Sequence, residues 1–306
     1  MSSHRHRMKF SVVKLRPVWY VISGLLLAAS LFVVASYGLK QGIEFTGGSL
    51  MAVRFPQRPS VAEVSATVSN AVPDLGTIVV QPAGESDMQL RLKALPEDEH
   101  QAVLIALREA YGEVTELRFD AIGPVIGVEL RRKSLQGLFV VGLAIMVYVA
   151  WAFRRVSAPI PSWQYGAVTI IAALHDMLVP IGVFAVLGHF YGVEIGTAFI
   201  SAILTILGYS ITDTIVVLDR VRENLLKTDL SFPELVDKAV RSTFMRSFNT
   251  SMTTLLALIA IYLFGGSSLR EFTLTLIIGI AVGTYSSIFI ASPLLVSFAK
   301  WQRRRK

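Results

Sequence analysis

The sequence lacks cysteine altogether and has few charged residues for a chain of 306 residues. Without cysteine the chain can form no disulfide, no thiol nucleophile and no thiolate metal site. Asp, Glu, Lys and Arg make up 17% of the chain, whereas they make up about 25% of a typical soluble domain. Apolar residues fill the difference, with a share of 53% and a mean hydropathy of +0.57. This composition predicts a membrane protein.

Six apolar segments are long enough to cross a hydrocarbon layer of roughly 30 Å, which takes about 20 helical residues. We predict transmembrane helices at residues 18–39, 135–153, 164–188, 195–218, 244–264 and 272–298. The segments outside them are an N-terminus at 1–17, a domain at 40–134, a loop at 219–243 and a tail at 299–306. The first segment could instead be a cleaved signal peptide. Its apolar core exceeds the roughly 7–15 residues of such peptides, which favours an uncleaved anchor.

Basic residues lie mainly on one side of the predicted helices. They precede the first segment, follow the second and the sixth, and occupy the loop at 219–243. The short loops at 188–194 and 265–271 contain a single Lys or Arg residue, Arg270. The positive-inside rule then places both termini in the cytoplasm and the 40–134 domain in the periplasm, so we expect the chain in an inner membrane. Arg131, Arg132 and Lys133 depart from this pattern, but they follow a long translocated domain, which crosses regardless of charge. Orientation also explains the net charge of +7 without a nucleic acid partner.

The 40–134 segment has the sequence pattern of an α+β domain. Strands are predicted at 49–55, 76–81, 87–93 and 113–121, and helices at 60–71 and 96–111. The resulting β-α-β-β-α-β order is that of a ferredoxin-like split βαβ unit. His100 is the domain's one histidine and has no neighbours that would form a catalytic or metal site. We therefore interpret the domain as a binding or lever module, and we expect no enzyme activity, cofactor or metal.

Two capping-box patterns mark helix starts. Ser60 and Glu63 begin the first helix of the α+β domain, and Ser231 and Glu234 lie in the cytoplasmic loop. The second pattern predicts a short amphipathic helix on the membrane surface, separate from the fifth transmembrane segment.

Three ionisable residues lie within the apolar segments, where charge is costly and usually marks function. Asp176 lies near the middle of the third segment, Asp213 toward the cytoplasmic end of the fourth, and Arg246 early in the fifth. At about 1.5 Å per residue, Asp213 and Arg246 lie at a comparable depth of about 9 Å. This predicts an Asp213–Arg246 pair, with Asp176 connected to it only through water or a relay. We predict all three as proton-coupling residues.

Polar neighbours extend these positions into a supporting polar path along two helical faces. The residues that share a face with Asp213 or with Arg246 are Ser210, Thr214, Asn249, Thr250 and Thr253. Simpler interpretations stay open. The Asp213–Arg246 pair could serve structure alone, and Asp176 could be satisfied by the backbone or by His175. We interpret His175 as a packing or relay residue, because no second ligand follows at metal-site spacing.

Five motifs resemble the SecF family of the bacterial SecD–SecF protein-export complex, and together they extend over nearly the whole chain. They are Gly42-Ile-Glu-Phe-Thr-Gly-Gly48, Val-Ile-Gly-Val-Glu-Leu130, Leu174-His-Asp176, residues 208–224 and Arg246-Ser-Phe-Asn-Thr-Ser251. The motif at 208–224 is the most specific of them. Glu44, Thr212 and Leu218 stand where the family commonly has Asp, Asn and Phe, and none of these departures removes an ionisable residue from the membrane.

The resemblance implies a fold like one six-helix half of an RND (resistance-nodulation-division) transporter, with SecD supplying the other half. It implies assistance, driven by the proton-motive force, to proteins that emerge from the SecYEG channel. SecA drives the earlier, ATP-dependent stage on the cytoplasmic side. The partners implied are SecD, SecYEG with its translocating unfolded polypeptides, and YajC as a further candidate.

In the mechanism that we favour, an ionised Asp213 pairs with Arg246, and a proton from outside loosens the pair and shifts the helices. Two rival functions use the same features. An intramembrane aspartyl protease would need the Asp176 and Asp213 carboxylates nearly in contact, but their depths differ by about 9 Å. A drug or lipid exporter of the RND superfamily usually carries both halves in one chain, whereas this chain has one.

Overall fold

The structure is a computed structural model that describes residues 11–73, 75–76, 78–154, 160–266 and 269–304. Its backbone forms two compact units. The α+β unit is Gln41–Gln136, and the membrane unit combines Met1–Lys40 with Gly137–Lys306. Several basic residues on which the predicted orientation rests lie outside the described residues: Arg5, Arg7, Lys9, Arg155, Arg305 and Lys306.

In the described residues, the α+β unit contains both helices and strands, and the membrane unit is helical. In chain order they are α1 (Arg16–Tyr37), α2 (Ile43–Thr46), β1 (Gly48–Arg54), α3 (Val61–Ala71), β2 (Val79–Pro82), β3 (Asp87–Leu92), α4 (Glu97–Tyr111), β4 (Thr115–Ile122), α5 (Pro124–Ala152), α6 (Ser162–Tyr191), α7 (Thr197–Lys227), α8 (Phe232–Phe264), α9 (Arg270–Ser286), a π-helix (Ser287–Ala291) and α10 (Ser292–Arg303).

The α+β unit has the ferredoxin-like topology that the sequence predicts. The strands of its sheet lie in the order β2-β3-β1-β4, and each pair of neighbours is antiparallel. Met51 in β1 lies opposite Leu90 in β3, and both are fully buried. They belong to the same apolar core as Val64 of α3 and Val103 of α4, because alternate side chains of a strand share one face of the sheet. The split βαβ prediction is confirmed.

The helix α3 begins at the capping box predicted from Ser60 and Glu63. The Ser60 hydroxyl accepts a hydrogen bond from the Glu63 backbone N–H (3.2 Å), and the Glu63 carboxylate accepts one from the Ser60 backbone N–H (2.9 Å). The backbone N–H of Ser60, and then its hydroxyl, hold the pKa of the Glu63 carboxyl below its ordinary value. Two backbone N–H groups at the start of α3, those of Ser60 and Glu63, thus have hydrogen-bond acceptors.

Ser60→Ala should destabilise α3 by about 1 kcal/mol, because it removes the acceptor for the Glu63 N–H. Ser69→Ala, at an exposed position later in α3, is the matched control and leaves the cap intact. Hydrogen exchange of the α3 amides in the purified chain measures both effects. Equal exchange rates in the two variants would contradict the capping role of Ser60.

The membrane unit contains the six predicted transmembrane helices. Six helices of the described residues are long and apolar enough to cross a membrane, formed by α1, α5, α6, α7, α8 and the continuous α9–α10 segment. About half of the apolar window is buried in α6, α7 and α9–α10, whereas only 6–11% is buried in α1, α5 and α8. The first group therefore forms the packed centre of the unit, and the second group leaves most of its surface for lipid or a partner.

Several boundaries differ from the sequence prediction. The helix α5 begins at Pro124, inside the predicted 40–134 domain, rather than at residue 135. The helix α7 continues to Lys227, and α8 begins at Phe232, so most of the predicted loop at 219–243 is helical. The separate amphipathic helix predicted in that loop is wrong. Its residues form the first turns of α8, because the capping box at Ser231 begins a helix in which no glycine or interior proline occurs before Phe264. One face of these turns is buried, at Leu235, Val236, Ala239 and Val240.

Candidate proton-coupling site

Asp176 lies where α6, α7 and α9 meet, and no part of it is exposed. Its Oδ2 atom accepts hydrogen bonds from the hydroxyls of Ser210 on α7 (2.5 Å) and Ser286 on α9 (2.6 Å). Its Oδ1 atom lies 3.0 Å from Nδ1 of His175. The structure therefore brings together the predicted residues Asp176 and Ser210, and it adds Ser286 to them.

Glycine residues of α9 allow this close approach. A Cβ atom at Gly283 would lie 3.1 Å from the Cβ of Ser210 and 3.5 Å from Oδ2 of Asp176. A Cβ atom at Gly279, one turn earlier, would overlap the side chain of Ile206. Because small residues let membrane helices pack at short range, Gly279 and Gly283 bring the Ser286 hydroxyl within reach of Asp176.

The π-helix lies directly after Ser286 and begins with a second buried hydroxyl, that of Ser287. This hydroxyl lies 2.9 Å from the hydroxyl of Thr214 and donates to the carbonyl of Gly283 (2.9 Å). The two adjacent serines thus contact different polar residues, since Ser286 binds Asp176 on α6 and Ser287 binds Thr214 on α7. Single-turn π segments are frequent at functional sites, and this one borders the polar core of the membrane unit.

Asp213 is 7% exposed and lies on the predicted polar face of α7, where Ser210 and Thr214 are also buried. The side chains of Ser247 and Ser251 on α8 lie beside its carboxyl group. Its Oδ2 atom is nevertheless buried without a hydrogen-bond partner, and so is the Ser247 hydroxyl. A serine hydroxyl can accept from a protonated Asp213 or donate to an ionised one, so this site offers a hydrogen-bonding group for either protonation state.

Arg246 does not form the predicted direct pair with Asp213. Among the described residues, no ion pair within 4.0 Å joins the two side chains, although the Arg246 charge still acts on Asp213 at longer range. Depth estimates compare positions along the membrane normal, but they carry no information on rotation about the helix axis. Adjacent helical residues point about 100° apart, and it is Ser247 that faces Asp213.

The predicted face of α8 that contains Arg246 points away from the packed centre. Arg246, Asn249, Thr250 and Thr253 are all exposed in the single chain. The Thr250 hydroxyl donates to the Arg246 carbonyl (2.9 Å), and the Thr253 hydroxyl donates to the Asn249 carbonyl (3.0 Å). We call these four residues the α8 polar stripe. The proton-coupling role of Arg246 and the supporting role of its neighbours stay predictions.

Sequence reasoning missed a second polar stripe on α8. Thr243, Ser247 and Ser251 recur every four residues and are buried, and the Ser251 hydroxyl accepts a hydrogen bond from Thr284 of α9 (2.6 Å). The spacing of four was visible in the sequence, but it was no stronger than the spacing of the α8 polar stripe. The helical period therefore offered two candidate faces for contact with Asp213.

The two buried aspartates have separate partners. The Asp176 carboxylate is bound by Ser210 and Ser286, whereas Asp213 lies beside serines of α8. A protease dyad would require the two carboxyl groups to share a proton, so the geometry disfavours that rival. No group of three or more His, Asp and Glu side chains in the described ranges could hold a metal ion.

Comparison with known proteins gives this geometry a family context. A family model described as "Protein export membrane protein SecD/SecF, C-terminal" matches residues 103–301, and another described as "SecD/SecF GG Motif" matches residues 32–55. The chain belongs to the SecD/SecF family. The resemblance inferred from the sequence motifs is confirmed, and membership makes the chain a membrane protein associated with export.

Members of the SecD/SecF family from several bacteria are similar to the chain over almost its full length. "Protein translocase subunit SecF" of Thermobaculum terrenum is 38% identical, with 94% of this chain and 93% of the relative covered. The same-named protein of Sebaldella termitidis is 37% identical, with 98% and 95% covered. These names describe translocase subunits, which agrees with the expectation of a transport role rather than an enzyme activity.

A solved member of the SecD/SecF family has the same fold. The crystal structure of SecDF, a translocon-associated membrane protein from Thermus thermophilus, superposes with a TM-score of 0.82 at 33% identity and covers 96% of this chain. The chain spans 39% of that longer protein. The SecDF name and the shared SecD/SecF family indicate a partnership of this chain with SecD.

The motif that gives the second family model its name has a clear steric role in the α+β unit. Gly47 and Gly48 have φ angles of +73° and +125°, which residues other than glycine rarely adopt. A Cβ atom at Gly47 would lie 2.7 Å from the Cα of Pro124, and one at Gly48 would lie 2.8 Å from the carbonyl oxygen of Leu92. Both glycines are therefore required by backbone packing at the start of β1.

Proposed function

We propose that the chain is the SecF-type accessory subunit of the Sec translocase, and that with SecD it uses the proton-motive force to promote protein export. The proposal rests mainly on Asp213, a buried carboxyl group in a membrane helix whose Oδ2 atom has no hydrogen-bond partner. In a membrane interior such a group is costly and by default marks function. Its position in a chain of the SecD/SecF family links proton binding to export.

The orientation that we propose has both termini in the cytoplasm of a bacterial cell, a multi-pass chain in the inner membrane and the α+β unit in the periplasm. The distribution of basic residues supports it. In this orientation the α+β unit meets polypeptides that emerge from SecYEG. YajC is a further partner of the proposed complex.

The proposed cycle starts when a proton from the periplasm reaches Asp213. The neutral carboxyl group then donates to a serine of α8, such as Ser247, and loses its attraction to the Arg246 guanidinium. The described conformation, in which no ion pair joins these two residues, fits this protonated step. Release of the proton to the cytoplasm restores the charge on Asp213 and draws Arg246 toward it. One charge that crosses 100 mV supplies about 2.3 kcal/mol, which is enough to shift a two-state helix arrangement.

We propose that SecD covers the α8 polar stripe. An arginine and an asparagine that face lipid are costly within a bilayer, and no other helix of the described chain buries this face. A partner with a polar surface at the same depth removes that cost. The proton site and the SecD contact would then lie on neighbouring faces of one helix, Ser247 and Ser251 on one side and Arg246 on the other.

Thr250→Cys should give a cross-link to SecD when it is labelled with a thiol-reactive photo-cross-linker in membranes. The natural chain has no cysteine, so the introduced thiol is unique. Phe248→Cys is the matched control, because Phe248 is exposed on α8 about 160° around the helix from Thr250. Adducts with SecD at position 248 but not at 250 would contradict the proposed contact.

Inverted membrane vesicles that contain SecD, with or without this chain, test the export function. Protease protection of a secretory precursor is measured after ATP is exhausted, in the presence and absence of a proton gradient. The proposal expects the gradient to complete translocation only when the chain is present. Completion without the chain, or completion that needs no gradient, would overturn it.

A further inference from the structure

His175 is the most deeply buried histidine of the described residues, with 2% of it exposed. Its Nδ1 atom lies 3.0 Å from Oδ1 of Asp176. Its Nε2 atom is buried and has no hydrogen-bond partner. A buried polar atom without a partner is rare in folded proteins, and this one lies beside a buried carboxyl group in the middle of a membrane helix.

The hydrogen bonds of this cluster indicate where its protons lie. Oδ2 of Asp176 already accepts hydrogen bonds from two hydroxyls, those of Ser210 and Ser286. A neutral imidazole has one N–H, and here that N–H is best used at Nδ1, where it donates to Oδ1 of Asp176. Both oxygens of the ionised carboxylate then accept hydrogen bonds, Oδ1 from His175 and Oδ2 from the two serines. The bare nitrogen is Nε2 of His175, and the cluster carries one uncompensated negative charge.

Among the described residues, the elements around the pair supply no cation that would compensate this charge. The helix α7 supplies Ser210, with Asp213 one turn further along, and α9 supplies Ser286 and Tyr285, whose ring centre lies 6.2 Å from that of His175. The helix α1 supplies Ser23, which is hydrogen-bonded to the Tyr285 hydroxyl (3.0 Å). In the described part of the chain, no Lys or Arg lies within ion-pair distance of Asp176. An isolated charge in a membrane interior is costly, and a proton removes the cost.

We propose that His175 and Asp176 form a second proton-binding site in the membrane unit, separate from Asp213, in which Nε2 of His175 takes the proton. The inference rests on the proposed function. The proton adds to the lone pair of Nε2 and leaves by the same atom, so no other bond forms or breaks. Protonation converts the cluster into a neutral imidazolium–carboxylate pair.

Protonation also changes what His175 needs from its surroundings. The new N–H at Nε2 is a buried donor without an acceptor, so the helices around it must shift to supply one. The neighbouring contacts run through Ser286 into the π-helix, whose Ser287 is bound to Thr214, the residue next to Asp213. A change at His175 can thereby reach the helix that carries Asp213. This arrangement assigns two proton sites to one helix bundle.

The direct test is the ring nitrogen spectrum of the natural SecD-bound chain in bilayers, with histidine labelled by nitrogen-15. The chain has five histidines, and His175→Asn identifies the signal of position 175. We expect its bare-nitrogen signal to be replaced by a second protonated-nitrogen signal as the pH is lowered from about 8 to about 5. A signal that keeps one bare nitrogen over that range would overturn the proposal.

A functional test uses the same variant. Asn keeps an N–H donor near the position of Nδ1 but has no counterpart of Nε2, so the contact with Asp176 is retained and the proton site is lost. We expect the pH profile of gradient-driven translocation to differ from that of the natural chain, with the ATP-driven stage unchanged. An unaltered pH profile in an assembled His175→Asn complex would overturn the proposal. If the variant does not assemble, the spectrum of the natural chain, assigned by its response to Asp176→Asn, decides.

Asp213→Asn distinguishes failure of the second proton site from failure of the proposed proton cycle. If Asp213→Asn stops gradient-driven translocation and His175→Asn leaves its pH profile unchanged, only the second site is disproved. If Asp213→Asn has no effect, the proposed proton cycle fails, and the nitrogen spectrum still tests proton binding at His175.

Discussion

Asp213→Asn should abolish the gradient-driven stage of translocation and leave the ATP-driven stage intact. Asparagine keeps the size and hydrogen-bonding capacity of the aspartic acid side chain, but it cannot ionise. The helices would then stay in the arrangement of the neutral side chain at all values of the gradient. Since one charge across 100 mV is worth about 2.3 kcal/mol, the lost bias is about 50-fold.

The measurement compares precursor completion in inverted vesicles with and without a gradient, after ATP is exhausted. Asp229→Asn, at an exposed position in the connection between α7 and α8, is the matched control and should retain the natural response. If Asp213→Asn responds to the gradient as the natural chain does, Asp213 has a structural role only. The proposed cycle would then be wrong, whereas membership of the SecD/SecF family would be unaffected.

The second large effect is expected at Gly127, in the first turns of α5. A Cβ atom there would lie 2.8 Å from the backbone nitrogen of Gly47 and 3.2 Å from the backbone carbonyl group of Phe45. Backbone atoms cannot rotate away as the end of a flexible side chain can. Gly127→Ala should therefore push the start of α5 away from the segment that precedes β1. Overpacking of this kind typically costs about 1–3 kcal/mol.

Gly137→Ala, on the same helix, isolates the contact. Nothing lies within 4 Å of a Cβ atom at Gly137, so alanine there should stabilise α5 by up to about 1 kcal/mol through its helix propensity alone. Thermal unfolding of the two variants in the same detergent should therefore shift in opposite directions. Equal shifts would show that the packing of Gly127 against Gly47 contributes nothing to stability.

The contact at Gly127 also explains why two motifs far apart in the chain occur together. The segment Gly42–Gly48 and the segment that ends at Leu130 are separated by the whole sheet in sequence, and the fold packs them against each other. A Cβ atom at Gly47 would lie 2.7 Å from the Cα of Pro124, and a Cβ atom at Gly127 would lie 2.8 Å from the backbone nitrogen of Gly47. For Gly47, this contact with a distant segment adds to the positive φ angle that already favours glycine there.

Features that depend on local composition and period can be predicted from the sequence. The six membrane helices follow from the length of apolar runs, and the ferredoxin-like order follows from the alternation of strand and helix patterns. The buried polar face of α7, with Ser210, Asp213 and Thr214, follows from helical spacing. All of these are properties of one segment at a time, which is why they could be predicted.

Which helix faces meet depends on the tertiary packing. The helix α8 carries two polar stripes with similar spacing, and a rotation of about 100°, one residue, decides whether Arg246 or Ser247 faces Asp213. The π-helix, which begins with the buried Ser287 directly after Ser286, has no signature in the sequence pattern. The donors around Asp176 come from three helices. Helix rotation and approach depend on the packing of many side chains at once, and a periodic pattern within one segment does not contain that information.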